Sequence, residues 1–330
     1  MEKDFKVDLV YLWVDGSDPQ WLAKKNACQP DKLNVDAAAK GRFFDNDELK
    51  FSLRSVEKFA PWVNKIFIVT DNQTPKWLNK SHPKIQIVDH TEIMPRQALP
   101  NFNSNAIETR LPYIEGLSEH FLFANDDMFF AAPVDKDFFF CACGRCSQCR
   151  SAEAGRAGEH ISDCGMPVVR FEKNTIKKNP GSLYGCKLKN AQELIFKTYG
   201  VKYKNFPHHN IDAYLKSEYL DCIKKFEKEL EPTTLAAFRD KSHIQRIVFS
   251  FYMLAAGRAH SKIVDAPWFC PWREVDSLVI NMRSPGRKQL KRLKPKLFCV
   301  NDDKKTTDEQ RLRMKEFLQT LFGEKSEFEL

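Results

Sequence analysis

Four short, almost unbroken apolar runs punctuate the first part of the chain: VDLVYLWV at 7–14, KIFIVT at 65–70, KIQIVD at 84–89 and HFLFAN at 120–125. Runs of this length without polar alternation suit strands buried on both faces, as in a parallel sheet. Between the first two, Leu49, Leu53, Val56 and Ala60 recur at helical spacing within DNDELKFSLRSVEKFA, residues 45–60. Asp45 with Glu48 has the form of a capping box, and Pro61 stops that helix. A second helix is expected over 105–115, although Pro112 works against it. Strand, helix, strand, strand, helix, strand predicts an α/β fold with a Rossmann-like, mostly parallel sheet.

Residues 141–190 lose this periodicity and read as a Cys-rich insertion. Helices return afterwards. Leu215, Tyr219, Ile223, Phe226 and Leu230 trace one apolar face running from Ile211, and 242–256 is a second helical stretch. A basic run, GRKQLKRLKPK at 286–296, precedes a short strand LFCV, and a last helix opens at Thr306, with Glu309 three residues on, and stops at Gly323. Three parts are expected: a Rossmann-like core over 1–140, the insertion over 141–190, and a mainly helical part over 191–330 that completes the site.

A length of 330 residues suggests about two units of roughly 150 each. The net charge of +8 favours an anionic partner, which on charge alone is nucleic acid, a nucleotide sugar, an acidic glycan or a lipid surface. MEKDFKVDLV carries no apolar leader, and no stretch reaches the roughly 18 apolar residues of a membrane span. The expectation is a cytoplasmic protein. Ten cysteines, five of them within 141–164, then point to reduced thiols or a metal site rather than disulfides.

Ligands of open α/β sheets sit beyond the carboxyl ends of the strands. Here the four exits read DGSD (15–18), TDNQ (70–73), DH (89–90) and NDD (125–127), which would gather up to six carboxylates along one sheet edge. Any single exit is equally good turn or cap chemistry, and Asn-Asp-Asp also suits a hairpin turn. Adjacent Asp126 and Asp127 after a buried strand meet the need of a divalent cation that shares its shell with phosphate oxygens. Asp47 and Arg54 share a helix face, where Arg54 could clamp a phosphate or simply belong to a charged surface.

FPHHNID at 206–212 sets His208 and His209 ahead of a helix, either as a base titrating near neutrality or as surface residues. Arg239 precedes another helix in FRDKSH, and Asn301, Asp302 and Asp303 form a second Asn-Asp-Asp after a short apolar run. CACGRCSQC places Cys143, Cys146 and Cys149, with Cys164 further on, at spacings that suit structural Zn²⁺ or leave unliganded loop thiols. No GxxxxGK[ST], GxGxxG after a strand, GxSxG or HExxH is present, which removes the usual support for P-loop, dinucleotide, serine hydrolase and zincin chemistries.

The ordered set LVYLWVDGSDPQW, RFFDNDELKFSLRSVEKFAPWVNKIFIVTDNQTPKWL, IVDHTEI, LPNFNSNAIETRL, GLSEHFLFANDDMFF and KPKLFCVNDD resembles the Stealth family of sugar-1-phosphate transferases. FPHHNIDAYL with FRDKSH is its least clear block. Register through Ile211 and Asp212 favours His209 over His208. The resemblance implies a glycosyltransferase-A-like sheet, a nucleotide-sugar donor (a UDP-sugar such as UDP-N-acetylglucosamine) and attack of a glycan hydroxyl on the phosphorus next to the sugar. A nucleoside monophosphate leaves, in the synthesis of capsule or another surface polysaccharide.

On that resemblance Asp126 and Asp127, with Asp302, hold Mg²⁺ or Mn²⁺. His209 is the base, Arg239 bears on phosphate, Asp15 and Asp18 orient the donor, and Asp47, Arg54, Asp71, Asn72, Asn301 and His208 complete substrate binding. The protein is expected at the inner face of a bacterial membrane at most peripherally. The rival reading is an ordinary metal-dependent glycosyltransferase that releases a nucleoside diphosphate. A nucleic-acid-binding module leaves the acidic exits unexplained.

Overall fold

The computed structural model describes residues 5–30, 43, 45–141, 165–264, 275–282, 286–302 and 305–330. Four of its strands coincide with the apolar runs: β1 (Val7–Leu12), then, after helices α1 (Pro19–Cys28) and α2 (Glu48–Phe59), β2 (Ile66–Thr70) and β3 (Ile85–Asp89), and, after the short helices α3 (His90–Ile93) and α4 (Ser104–Glu108), β4 (His120–Asn125). They form a sheet in the order β3-β2-β1-β4, all parallel. The runs are continuous because successive residues serve opposite faces. Val10, Phe67, Val69, Phe121 and Phe123 enter one core, while Leu9, Tyr11, Ile66, Ile68, Leu122 and Ala124 enter the other. Each large side chain so buried contributes roughly 1.5–3 kcal/mol.

The chain then builds β5 (Met128–Phe130), β6 (Val168–Thr175), α5 (Leu183–Tyr199), β7 (Asn205–Pro207), β8 (Asp212–Leu215), α6 (Lys216–Lys225), α7 (Glu227–Leu235), α8 (Ile247–Ala255), β9 (His260–Val264), β10 (Ser277–Asn281), α9 (Gly286–Leu293), β11 (Leu297–Asn301) and α10 (Asp308–Leu321). β8 extends the main sheet antiparallel to β4, and β5 joins β11 and β10 in a second sheet. A third joins β7, β6 and β9. Segments from late in the chain therefore complete both sheets that flank the 125–127 turn.

Several expectations change. The Asp45–Glu48 capping box does not form: Asp47 takes the N-cap with φ 65° and makes no side-chain cap bond, while Glu48 turns back to accept from Asn46 N and Nδ2 at 2.5 and 2.6 Å. The 105–115 helix is one turn and a half, closing at Glu108 before a 3-10 turn that holds Pro112. Residues 212–215 pair with β4 as a strand, so the apolar face from Ile211 becomes helical only at Lys216. The helix expected over 242–256 begins at Ile247, and the last one is capped one residue later, by Thr307 with Gln310. Asn-Asp-Asp is not a hairpin, since β4 and β5 lie in different sheets. Residues 168–175, inside 141–190, are strand β6, and helix α5 begins inside it at Leu183 and runs past its end to Tyr199.

Candidate active site

A cavity of about 720 Å³ opens at the carboxyl ends of the parallel strands. Trp13, Asp71, His90 and Asn125–Asp127 line it from the four strand exits. Asn301 and Asp302 come from the end of β11, His209 from the loop before β8, and Arg239 and Arg246 from the segment before α8. Gly16 permits the first exit its course, because a Cβ there would stand 2.2 Å from the Phe43 carbonyl oxygen that its own N–H bonds at 2.8 Å.

One wall is acidic. Burial first, then the charges of Asp127, Glu48 and Asp45, push the Asp126 carboxyl well above its usual range. Asp127 is raised to about 7, chiefly by burial, and Glu48 to about 8 by burial with Asp45 adding to it. Carboxyls this crowded and this poorly solvated hold protons unless a cation is present. Asp127 Oδ1 is buried with no hydrogen-bond partner among the described residues. A carboxylate oxygen of Asp127, a ring nitrogen of His209 and the Cys299 sulfur lie within 4.8 Å of one another, a set able to hold a metal ion.

The other wall carries three basic side chains together with Glu108. Arg246 pairs with Asp212 at 2.8 Å and with Glu108 at 3.7 Å, and stacks 4.2 Å above the Phe123 ring. Buried Lys187 donates to Asn105 Oδ1, and Arg239 donates to Ser104 Oγ. His209 sits between the walls; burial, then the Arg246 and His208 charges, lower its pKa to about 4, so it is neutral at neutral pH.

The expected residues divide. His209, Arg239, Asp71, Asn301, Asp126, Asp127 and Asp302 share the cavity, with Asp71 paired to Lys24 at 2.8 Å and Asp302 to Arg311 at 2.8 Å. Asp15, Asp18, Asp47, Arg54, Asn72 and His208 do not line it. Asp15 accepts from Ser17 N and Oγ within its own turn, and Asp18 caps α1 through Trp21 N at 2.8 Å. Asp47 is neutralised by Lys50 and Lys315, and Arg54 makes a two-pronged pair with Glu329. Asn72 is an exposed turn residue at φ 54°, its N–H donated to Asp89. His208 is buried beside Arg170. For Asp15, Asp18, Asp47 and Arg54, local turn or pairing chemistry claimed a polar side chain that spacing alone offered to a ligand. Cys143, Cys146, Cys149 and Cys164 lie outside the described residues.

Glu48, Lys187, Arg246 and Cys299 were not foreseen. Glu48 was hidden by its resemblance to a cap residue, and Lys187 and Arg246 had no motif around them. Cys299 did carry a signal: it is two residues before Asn301 on a strand, hence on the same face.

The Stealth protein conserved region 1 matches residues 5–31 and conserved region 2 matches residues 42–147. The chain is 33% identical to the capsular polysaccharide phosphotransferase WcwK of Streptococcus pneumoniae over 98% of this chain and 99% of that protein. It is 50% identical to the exopolysaccharide phosphotransferase SCO6023 of Streptomyces coelicolor over 42% of this chain, which spans only 24% of that longer relative. Among solved structures it is similar to the galactosyltransferase LgtC in complex with donor and acceptor sugar analogs, at 8% identity and a TM-score of 0.41 over 96% of this chain and 95% of that one. No helix among the described residues is long and apolar enough to cross a membrane.

Proposed function

The chain belongs to the Stealth family, and from that membership we propose that it transfers a sugar-1-phosphate from a nucleotide-activated sugar to a glycan hydroxyl. The new bond is a phosphodiester, and a nucleoside monophosphate leaves. The observation that carries this reading is that Asp126 and Asp127 line one cavity together with Arg239, Arg246 and Lys187. A diphosphate with its cation is neutral enough to lie between them, and phosphoryl transfer needs such positioning and charge balance more than covalent help.

In this reading the neutral His209 accepts the proton of the acceptor hydroxyl as it attacks phosphorus, an effect of roughly 10²- to 10⁴-fold. Arg239 steadies the charge that grows on the phosphoryl oxygens. Asn301, on β11, orients donor or acceptor through its amide. Asp126 and Asp127 would hold a divalent cation, Mg²⁺ or Mn²⁺, whose chemistry is to neutralise the diphosphate and the leaving monophosphate. The orphaned Asp127 oxygen and the raised carboxyl pKa values support such a site. The family of named relatives favours a surface polysaccharide as the acceptor, with UDP-N-acetylglucosamine as a first donor to try.

The decisive measurement is a screen of nucleotide sugars with Mg²⁺ or Mn²⁺ and an EDTA control, reading the nucleotide released. UMP from a UDP-sugar, with phosphate retained in the product, is expected. Release of UDP would replace this reading by that of an ordinary metal-dependent glycosyltransferase.

A further inference from the structure

Among the described residues, one set of converging ligand atoms is not all oxygen. Asp127, His209 and Cys299 supply it from three elements, and their ligand atoms lie within 4.8 Å of one another. The sheet fixes two of them together: Cys299 stands opposite Met128 in the antiparallel β5–β11 pair, and Val300 N–H bonds the Asp127 carbonyl at 2.9 Å. Cys299 is fully buried, and its thiol donates to Asn301 Oδ1 at 3.6 Å and interacts with the Asp127 carboxylate. Asp127 Oδ1, also buried, makes no hydrogen bond among the described residues. A sulfur, a nitrogen and an oxygen thus converge where one carboxylate oxygen lacks any partner.

This donor set does not suit Mg²⁺, which takes an octahedral shell of oxygens and keeps several waters. Thiolate with imidazole selects a softer ion, and one Cys, one His and one carboxylate match the ligand types of a three-residue zinc site with its fourth position open. Tetrahedral bonds of about 2.0 Å to N and O and about 2.3 Å to S bring the ligand atoms to roughly 3.5 Å apart. Reaching that spacing from separations within 4.8 Å asks for shifts of about 1 Å in the half-buried Asp127 and His209 side chains.

We infer that Asp127, His209 and Cys299 form a second kind of cation site, one that takes a thiolate-accepting divalent ion of the Zn²⁺ class and shares Asp127 with the Asp126–Asp127 pair. Binding forms the metal–sulfur bond and releases the thiol proton to solvent, with no change of oxidation state. The ion also occupies the imidazole lone pair that would otherwise accept a proton, so occupancy stops turnover. The site stands on its own geometry, whereas this effect on turnover rests on the phosphotransferase reading.

Co²⁺ is the probe, since a cobalt–thiolate bond gives an intense near-ultraviolet charge-transfer band. The full chain, stripped with EDTA, is titrated with Co²⁺ alongside C299S and D127N, with thermal melts showing that each variant is folded. The wild type is expected to bind one more equivalent of thiolate-ligated cobalt than C299S. That extra band should be abolished by Zn²⁺, and D127N, which keeps the thiol but loses the carboxylate ligand, should bind at least about tenfold more weakly. Identical bands in wild type and C299S, which would place the signal on other cysteines, overturn the site, as does wild-type affinity for cobalt in D127N. No donor is turned over in this experiment, so its failure is separate from failure of the phosphotransferase reading. In the turnover assay Zn²⁺ should inhibit the wild type at concentrations at least tenfold lower than C299S, and equal sensitivity would overturn the effect on turnover.

Discussion

A carboxylate oxygen of Asp127 and a ring nitrogen of His209 lie within 4.8 Å of each other, the first held by the turn that leaves β4 and the second by the loop that enters β8. Because β8 pairs antiparallel with β4, with Asp212 opposite Phe123, the two approach through the sheet itself. His209→Gln keeps much of the side-chain volume but cannot accept and carry the proton. It should lower nucleoside monophosphate release roughly 10²- to 10⁴-fold while leaving the donor KM nearly unchanged. Unchanged turnover would remove His209 as the base.

Arg239 tests the basic wall separately. Its guanidinium lines the cavity and is anchored by Ser104 Oγ. A charge-assisted bond to phosphate contributes about 1.5–3 kcal/mol, so Arg239→Ala should reduce kcat/KM by roughly 10- to 100-fold. Lysine should recover only part of the loss, since it keeps the charge without the planar fork. Full recovery by lysine would mean that simple charge, not two-pronged contact, is what this position supplies.

How much of this was legible beforehand follows from how locally each feature is determined. The four parallel strands could be read because burial on both faces leaves an uninterrupted apolar run, and the strand exits then located the cavity through Asp71, Asp126 and Asp127. β8 could not be read: residues 212–215 are compatible with a helix, and only the free edge of β4 makes them a strand. Asp18, Asp47 and Arg54 lie outside the cavity for a related reason. Their residue types suit a phosphate or metal site, but a helix N-terminus, two lysines and the chain's penultimate residue reach them first. Arg246 and Lys187 depend on tertiary contacts with Glu108 and Asn105, which no spacing displays.

The Arg54–Glu329 pair makes a prediction about stability rather than catalysis. The guanidinium donates to both carboxylate oxygens at 2.7 Å and to the Phe322 carbonyl at 2.7 Å, tying α2 to the C-terminal segment. Both side chains are largely buried, so Arg54→Met should cost about 3 kcal/mol in denaturant unfolding. Burial raises the Glu329 pKa, but the Arg54 bond and charge and the Ser326 bonds outweigh it and leave it lowered. A lowered carboxyl contributes stability above its unfolded value near 4.5, and that contribution is lost as pH falls through the lower folded value. Arg54→Met should therefore narrow the gap between stability at pH 7 and at pH 3, read by thermal melts. An unaltered pH dependence would show that the pair does not set it.

Asp18 separates capping from donor binding. Its carboxylate accepts from Trp21 N at 2.8 Å at the head of α1, where Pro19 takes the first helical position. Replacing an N-cap aspartate by alanine costs typically about 1 kcal/mol, whereas serine caps nearly as well. Asp18→Ala should accordingly lower the unfolding free energy by about that amount, and Asp18→Ser should restore most of it. Donor KM should stay within about twofold of the wild type in both. If serine restores stability while KM for the nucleotide sugar remains raised tenfold or more, the carboxylate touches the donor after all. The first strand exit then contributes a charge to the site that its capped geometry does not display.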